Sequence, residues 1–380
     1  MTSKNIDAVA RFMQNGVNSG VFPGAVLLVS YKDEIVFHDA FGLADIYSGQ
    51  LMQKGSIFDL ASLTKPLSTA LCMMKLVKKK SILVHNTLGD VLNREEISKK
   101  CDKKKLNISI DQLLCHTSGL PAHKPFYKEV MAIPKTDRRN MIRQLILNEP
   151  LVATPNQEQI YSDLGYILLA WIIEKLSSSR IDIFAHNELY QLLGVNDLFF
   201  IPLIETKEDT KNIDGHNKID LRMLKFIVPT EMCPWRRKIL RAEVHDDNAW
   251  AVGGVEGHAG LFGTALAVWR ILIEIMRLIH QKDSPLFDGD TLRSFLAKRG
   301  DFEMVAGFDT PSMVGSSSGR YFSPSSIGHL GFTGTSFWLD PVKSLIVILL
   351  SNRVHPNREN QKIKAFRPKI HDIVVNSICG

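Results

Sequence analysis

The spacing of apolar residues changes along the chain and predicts strands near both ends, with helices between them. Residues 24–31 (GAVLLVSY) and 34–42 (EIVFHDAFG) are β-rich runs separated by Lys32-Asp33, which predicts a hairpin. Further strand candidates lie toward the C-terminus, at 302–308, 328–339 and 345–351. Helical spacing predicts helices over 1–20, from Ser62 onward, and over 109–116, 164–178, 263–282 and 359–378.

This order of elements predicts an α+β fold, an α/β sandwich with one central antiparallel sheet. The sheet is built from the N- and C-terminal segments and flanked by helices, and a mostly helical segment is inserted into it. We therefore expect a single unit over 1–380, with an α/β subdomain over about 1–80 plus 258–380. The insertion spans about 81–257, and a functional site is expected between the two parts. Within it, 202–257 is rich in Pro, Gly, Asp and Asn and is predicted to be irregular.

The composition narrows the class of protein. Hydrophobic residues make up 45% of the 380 positions and charged residues 23%, which is typical of a globular protein with a large core. No apolar run reaches the roughly 18 residues of a membrane span, and the N-terminus does not resemble a signal peptide. The five cysteines are odd in number, scattered and without CxxC spacing, which predicts no disulfide framework and a cytoplasmic location.

The positive charge of the chain is local. The formal net charge is +6, and between Lys75 and Lys105 ten basic residues face four acidic ones. This segment contains no aromatic residue, whereas a nucleic-acid interface would interleave aromatic and basic residues. A solvated helix face is therefore expected there, and no nucleic-acid partner.

Ser62-Leu63-Thr64-Lys65, at the start of an apolar helix, is a candidate catalytic pair. A serine hydroxyl is a weak nucleophile and needs a neighbouring base, which lysine supplies when burial lowers its pKa. A spacing of three places both side chains on one helix face. Taken alone, the tetrapeptide also fits two polar residues on the first turn of a core helix.

Two further elements follow in the chain. Tyr161 precedes the helix that starts near Leu164, where a phenol can shuttle protons if a cation lowers its pKa. Asp163 beside it is equally consistent with a helix N-cap. The glycine-flanked strand at 328–335 contains His329, and the N–H after Gly331 could complete an oxyanion hole with that of Ser62.

These stretches resemble the serine β-lactamase family, whose signature begins with S-x-x-K. The resemblance is to the branch of class C β-lactamases, D-Ala-D-Ala peptidases and related esterases. The matching stretches are FDLASLTKP (58–66), LLCHTSGLP (113–121), YSDLGYILLAWIIEKLS (161–177) and GHLGFTGTSFWLDP (328–341). Residues 229–265 and LSNRVHP (350–356) are similar to a subfamily that includes peptidoglycan-recycling N-acetylmuramoyl-L-alanine amidases.

The resemblance implies a role for each matching residue. Ser62 would be the acylated nucleophile, and Lys65 would take its proton or hold the charge that keeps Tyr161 acidic. Tyr161 would shuttle the proton to the leaving group and later activate water. The third motif of the family usually begins with a lysine on a strand, and His329 occupies the position of that lysine. Gly331 and Phe332 would follow it along this substrate-binding strand.

Two positions depart from the family pattern. Asp163 replaces the usual asparagine, and if it faces Lys65 it would raise that pKa and shift the role of base to Tyr161. His329 replaces a lysine that normally attracts a substrate carboxylate, so a permanent cation becomes a group that is mostly neutral at pH 7. We therefore expect β-lactamase activity to be weak at most, with esters or muramyl amides as more plausible substrates.

The leading hypothesis is a serine hydrolase that cleaves an amide or ester, either a muramyl-peptide amidase or a carboxylesterase. The alternative is a non-catalytic binding or sensing module with the same fold. The expected partner is a small or peptide-like substrate, with no membrane, cofactor or metal, and the sequence does not indicate an oligomeric state. Asp246, Asn248 and His258 are candidates for the cleft lining or for loop hydrogen bonding. His245, Asp246 and His258 lack the helix-based spacing of metal ligands.

Overall fold

The computed structural model describes residues 3–93, 95, 97, 102–203 and 221–379. Its strands, in chain order, are β1 (Gly24–Tyr31), β2 (Glu34–Asp45), β3 (Gln50–Leu51), β4 (Phe58–Asp59), β5 (Leu198–Phe200), β6 (Met232–Cys233), β7 (Lys238–Ile239), β8 (Leu261–Gly263), β9 (Ile327–Leu330), β10 (Ser336–Asp340) and β11 (Leu345–Ser351). Its α-helices are α1 (Ser3–Asn18), α2 (Leu71–Lys78), α3 (Leu88–Val91), α4 (Ile110–Leu114), α5 (Tyr127–Val130), α6 (Lys135–Asn148), α7 (Asp163–Ser177), α8 (Ile181–Ala185), α9 (Asp247–Ala251), α10 (Ala265–Ile279), α11 (Gly289–Leu296) and α12 (Ile363–Ile378). None of the described helices is long and apolar enough to cross a membrane.

The two ends of the chain meet in one antiparallel sheet, with the strand order β3-β2-β1-β11-β10-β9. The predicted hairpin is confirmed, because β1 pairs with β2 and both turn residues, Lys32 and Asp33, have positive φ. Turns of that kind match the right-handed twist of the strands that they connect. The α+β fold, with a sheet made from both chain ends, is therefore confirmed, whereas the subdomain boundaries stay a prediction.

The central strands β1 and β11 are apolar along most of their length because both faces of the sheet are covered. Val26 and Leu28 point into a large core that also contains α2 and α7. Leu27 and Leu349 are paired in register and face the opposite side, where α1 and α12 cover the sheet.

Two of the C-terminal strand predictions were wrong in detail. Residues 302–308 form no strand; Val305 and Phe308 make an isolated bridge around Gly307, whose φ of 90° turns the chain. Residues 328–339 are not one strand but the β9–β10 hairpin, because Gly334 has a φ of 107° and reverses the chain.

The other predicted elements are present with shifted ends. The helix predicted from Ser62 begins as a 3-10 turn (Ala61–Leu63), continues as a π-helix (Lys65–Ala70) and becomes α-helical only in α2. Of the irregular stretch 202–257, residues 204–220 lie outside the described residues, and the described remainder holds only short elements. Cys101 and Arg94, within the basic segment, also lie outside the described residues.

A second, three-stranded sheet with the order β4-β8-β5 lies beside the main one and positions the functional segment. Strand β4 pairs with β8 through Phe58 and Asp59, so the chain leaves this sheet immediately before Ser62. The turn that follows lies between β9 and the N-terminus of α7, which is where the candidate side chains meet.

Candidate active site

Ser62 lies on a strained turn that directly follows β4. The preceding residue, Ala61, has a φ of 49°, a left-handed conformation that a residue with a side chain seldom adopts. The buried carboxylate of Asp59 holds this turn, because it accepts hydrogen bonds from the N–H of Ala61 at 2.9 Å and of His245 at 2.7 Å. Strained backbone of this kind is concentrated at functional sites.

Lys65 is fully buried, and its Nζ donates to three oxygen atoms. These are Ser62 Oγ at 3.1 Å, Asp163 Oδ1 at 2.7 Å and the carbonyl of His258 at 3.3 Å. Burial acts to lower the pKa of Lys65, but Asp163 and, to a smaller extent, Tyr161 together outweigh it and raise the pKa above its ordinary value. Lys65 is therefore an ammonium ion in the resting site.

Asp163 is the first residue of α7, and the interpretation of it as an N-cap was wrong. The cap is Ser162, whose hydroxyl accepts from the N–H of Gly165 at 3.4 Å. The carboxylate of Asp163 instead contacts Lys65 and lies 3.5 Å from Nδ1 of His123. Although burial works to raise the pKa of Asp163, the ammonium of Lys65 holds it well below its usual range.

Tyr161 places its ring beside the same ammonium, with Lys65 Nζ 4.7 Å from the ring centroid. Interactions with Lys65 and with Ser62 act to lower the pKa of its hydroxyl. Burial raises the pKa of Tyr161 to about 12, although the charge of Lys65 acts in the opposite direction. The resting group is therefore a neutral phenol. The ring of His116 packs 4.6 Å from that of Tyr161, and His116 Nδ1 accepts from the N–H of Ser162 at 2.9 Å.

His329 lies on β9, with its ring 6.0 Å from that of Tyr161. Its Nδ1 is 3.0 Å from the carbonyl of Leu330, which can only accept, so Nδ1 carries the proton. Burial lowers the pKa of His329 to about 3, so the ring is neutral. Its Nε2 is then a buried acceptor without a partner among the described residues.

The segment after His329, residues 331–335, packs against and hydrogen-bonds to the turn that contains Ser62. A side chain at Gly331 would collide with the carbonyl of Leu60, 2.7 Å from an ideal Cβ, so glycine allows the close approach. Thr333 and Thr335 donate hydrogen bonds to the carbonyls of Asp59 and Leu60, at 2.7 and 3.0 Å. This brings the Phe332 segment next to Ser62; the oxyanion hole stays a prediction.

Two cavities meet at the nucleophile, because Ser62, Tyr161 and Phe332 line both of them. The histidine–carboxylate compartment has a volume of about 410 Å³ and is lined by Ala61, Ser62, His123, Tyr161, Asp163, His245, Asp246, Asp247, His258, Ala259, Phe332 and Arg358. The arginine compartment has a volume of about 390 Å³ and is lined by Ser62, Tyr161, Asp309, His329, Leu330, Gly331, Phe332, Arg353, Gln361, Ile363, Lys364 and Arg367. Phe332 is 48% exposed between them and offers an apolar surface to a substrate.

The charged groups of the histidine–carboxylate compartment are paired with one another or with neighbouring residues. Asp246 Oδ1 lies 2.9 Å from His258 Nε2, and this pairing outweighs burial in raising the pKa of His258. His245 lies 2.7 Å from Glu231, which also binds Arg358.

The three loop candidates therefore have different positions. Asp246 and His258 line the cleft, whereas Asn248 uses its amide to bind the backbone of Lys124 and Tyr127. Among the described residues, no group of three or more His, Cys, Asp or Glu is arranged to hold a metal ion.

Sequence reasoning missed several residues at the site. His116 lies within the LLCHTSGLP stretch, which was matched as a motif without a role for its histidine, and His123 follows two residues after that stretch. Asp309, Arg353 and Arg367 come from three separate segments and enter the arginine compartment only through the fold.

The comparisons with known proteins agree on one family. The family model described as Beta-lactamase matches residues 9–371. A protein of Salmonella agona named putative D-alanyl-D-alanine carboxypeptidase is 27% identical over 376 residues, covering 95% of this chain and 85% of the relative. The protein of the same name from Escherichia coli K12 is 26% identical, covering 94% of this chain and 85% of the relative.

Solved structures share the fold at low identity. EstCE1, described as a hydrolase with promiscuous acyltransferase activity, has a TM-score of 0.71 at 17% identity, covering 98% of both chains. Simvastatin synthase (LovD) from Aspergillus terreus has a TM-score of 0.71 at 16% identity, covering 99% of both chains. Together with the family match over nearly the whole length, this means that the chain belongs to the β-lactamase family and is a serine hydrolase.

Proposed function

We propose that the chain cleaves an amide or ester bond through an acyl-enzyme on Ser62. One observation carries the proposal: Nζ of the buried Lys65 lies 3.1 Å from Ser62 Oγ, 2.7 Å from Asp163 Oδ1 and 4.7 Å from the centroid of the Tyr161 ring. In the first step Ser62 Oγ attacks the substrate carbonyl and the leaving group departs with a proton. Water then cleaves the acyl–Ser62 ester and returns the proton to the serine.

Tyr161 is proposed as the group that exchanges this proton. Lys65 would have to lose a proton while bound to the Asp163 carboxylate, which favours the charged form. A phenolate on Tyr161 would instead be stabilised by the Lys65 ammonium beside it. The two groups are close enough to titrate as a pair, so their apparent pKa values belong to the pair. We expect kcat/KM to rise toward alkaline pH as this pair loses a proton.

The proposed substrates are peptide-like amides and small esters. The named relatives point to peptides that end in D-alanine, and the amidase-like stretches at 229–265 and 350–356 point to muramyl peptides. The neutral ring of His329 supplies no permanent cation, which supports β-lactamase activity that is weak at most. The free thiols of Cys72, Cys115, Cys233 and Cys379 support the proposal of a cytoplasmic location.

Labelling with a fluorophosphonate tests the nucleophile. We expect one adduct, located on Ser62 by mass spectrometry of peptides, and its loss in Ser62→Ala. The variant Ser325→Ala, which changes an exposed serine, is the matched control and should label as the native chain does. An adduct on another serine, or none under conditions that label a control esterase, contradicts the proposal.

Three substrates then separate the candidate activities. N-Acetylmuramoyl-L-Ala-D-isoGln tests the amidase, a peptide ending in D-Ala-D-Ala tests the carboxypeptidase, and p-nitrophenyl butyrate tests the esterase. The kcat/KM values rank the three, and the activity should disappear in Ser62→Ala. Labelling of Ser62 without turnover of any of them would favour the non-catalytic binding module.

A further inference from the structure

The arginine compartment contains cations that form no ion pair with the described residues. Arg353, Lys364 and Arg367 line one wall, and none of the described carboxylates lies within 4.0 Å of their nitrogen atoms. Arg353 and Arg367 are each only 5% exposed. Buried charges are normally paired, since removal from water is costly, so two buried guanidinium groups without a carboxylate require an explanation.

Arg367 has unused hydrogen-bonding capacity. It lies on α12, and one nitrogen, Nη2, donates to the carbonyl of Thr335 at 3.0 Å. Its Nε is buried and has no partner among the described residues. Burial, with a further contribution from Arg353, lowers the pKa of Arg367 to about 10, so the group remains charged at neutral pH.

Arg353 follows β11 and is held rigidly by main-chain acceptors. It donates to the carbonyls of Arg358 at 3.2 Å and Asn360 at 2.8 Å, and to that of Phe332. These contacts hold the guanidinium beside the turn between β9 and β10, which contains Phe332, and they do not neutralise its charge. Its Cζ also lies over the ring of Phe332, 4.8 Å from the centroid.

We propose that Arg367 and Arg353 form a subsite for a carboxylate of the substrate, on the α12 side of Ser62. This inference rests on the proposed function, because the subsite shares its cavity with Ser62 and Tyr161. A carboxylate would supply the missing counter-charge and accept from the free Nε of Arg367, in the side-on geometry that guanidinium groups favour. Asp309 lies in the same cavity, which favours a singly charged carboxylate over a phosphate dianion.

The subsite changes the expectation drawn from His329. The loss of lysine from the third motif indicated that the site no longer attracts a carboxylate. The structure provides cations from two other elements, the end of β11 and helix α12. Specificity for an anionic substrate would then depend on Arg367 and Arg353, while His329 offers only a neutral acceptor.

Paired esters test the subsite in both orientations of the substrate. For the leaving group, 3-carboxyphenyl butanoate is compared with 3-carbamoylphenyl butanoate; for the acyl group, 4-nitrophenyl hydrogen adipate is compared with its methyl ester. The readout is the ratio of kcat/KM for the anionic ester to that for the neutral one. For at least one pair, we expect this ratio to fall about tenfold or more in both Arg367→Met and Arg353→Met, as for loss of a charge-assisted contact.

Lys369→Gln is the matched control, because it removes a positive charge from an exposed position of the same helix outside the cavity. Its ratio should equal that of the native chain. Equal ratios in the native chain and both arginine variants, for both pairs of esters, would overturn the proposal.

Binding separates the subsite from the proposed function. Calorimetry with the Ser62→Ala chain and the two 3-substituted phenyl butanoates measures affinity without turnover. Tighter binding of the carboxylate that is lost in Ser62→Ala/Arg367→Met supports the subsite even if no ester is hydrolysed. Equal affinity of the acid and the amide overturns it, whether or not Ser62 is a nucleophile.

Discussion

The two compartments beside Ser62 have similar volumes but balance their charges differently. In the histidine–carboxylate compartment, Asp163 is bound to Lys65 and Asp246 to His258, so the main charges are matched within the protein. In the arginine compartment, the hydrogen bonds of Arg353 and Arg367 to the described part of the chain all go to carbonyl oxygens. The first arrangement holds the nucleophile and its partners in place, whereas the second leaves charge available for a ligand.

The contrast also separates two effects of burial. A buried ion pair is costly to break, because the partner left behind is an uncompensated charge. A buried cation without a counter-ion already carries that cost in the free protein. Removing a charge should therefore destabilise the first compartment and stabilise the second, and the opposite signs provide a test of the comparison.

The largest effect is expected from Lys65→Met. It should lower kcat/KM for p-nitrophenyl butyrate about a thousandfold or more, because Ser62 and Tyr161 lose their shared cation. It should also lower the free energy of unfolding by about 3–5 kcal/mol, measured in urea, since the carboxylate of Asp163 is left unpaired. The double variant Lys65→Met/Asp163→Asn should regain much of the stability but not the activity. Native activity in Lys65→Met would contradict the proposed mechanism.

Arg367→Met should have the opposite effect on stability. Removing a buried cation that has no carboxylate partner among the described residues is expected to raise the free energy of unfolding by about 1–2 kcal/mol. The carbonyl of Thr335 still accepts from the N–H of Gly331 at 2.7 Å after the change, so it is not left unsatisfied. Urea unfolding of Lys369→Gln gives the baseline for loss of an exposed charge. A destabilised Arg367→Met would show that the arginine is a structural element rather than part of a ligand subsite.

Asp163→Asn should shift the pH dependence of the reaction. The carboxylate raises the pKa of Lys65 and also acts to raise that of Tyr161, so its removal lowers both. The pH at which kcat/KM rises should therefore move to lower values, whichever of the two groups exchanges the proton. The native pair titrates above pH 10, so in a profile for p-nitrophenyl butyrate between pH 5 and 10 the shift is seen as a rise in kcat/KM that begins at lower pH in the variant. A profile that stays in place or moves to higher pH contradicts the assignment of Asp163 as the group that sets these pKa values.

The smallest effect is expected from Asp309→Asn. Burial raises the pKa of Asp309 to about 7, so in the native chain this carboxyl becomes negative as pH rises through neutrality. The preference for an anionic ester should then fall severalfold between pH 6 and 8, and the variant should lose that pH dependence. Three other groups that line this cavity titrate well outside this range, because the pKa of His329 is near 3, that of Arg367 near 10 and that of Tyr161 near 12. The ratio of kcat/KM for the adipate monoester and its methyl ester, measured at each pH, provides the test.

Much of the fold could be predicted because its elements carry local signals. The hairpin of β1 and β2, the helix α7 and the strand β11 each have the spacing and turn residues that their structure requires. The prediction over 302–308 was wrong because Gly307 turns the chain, which the apolar run does not reveal. Asp163 was open to two interpretations, since Ser162 and Asp163 are both good caps and only the structure shows which one caps α7.

The sequence by itself determined the family, the fold class and the candidate Ser62, Lys65 and Tyr161, because short motifs in a fixed order carry that information. Only the tertiary structure decided how charge is balanced around them. The ion pair of Lys65 and Asp163 joins residues 98 positions apart, and the arginine wall joins the end of β11 to α12. Burial and distance determine whether a charge is paired, and neither property can be read from neighbours in the chain.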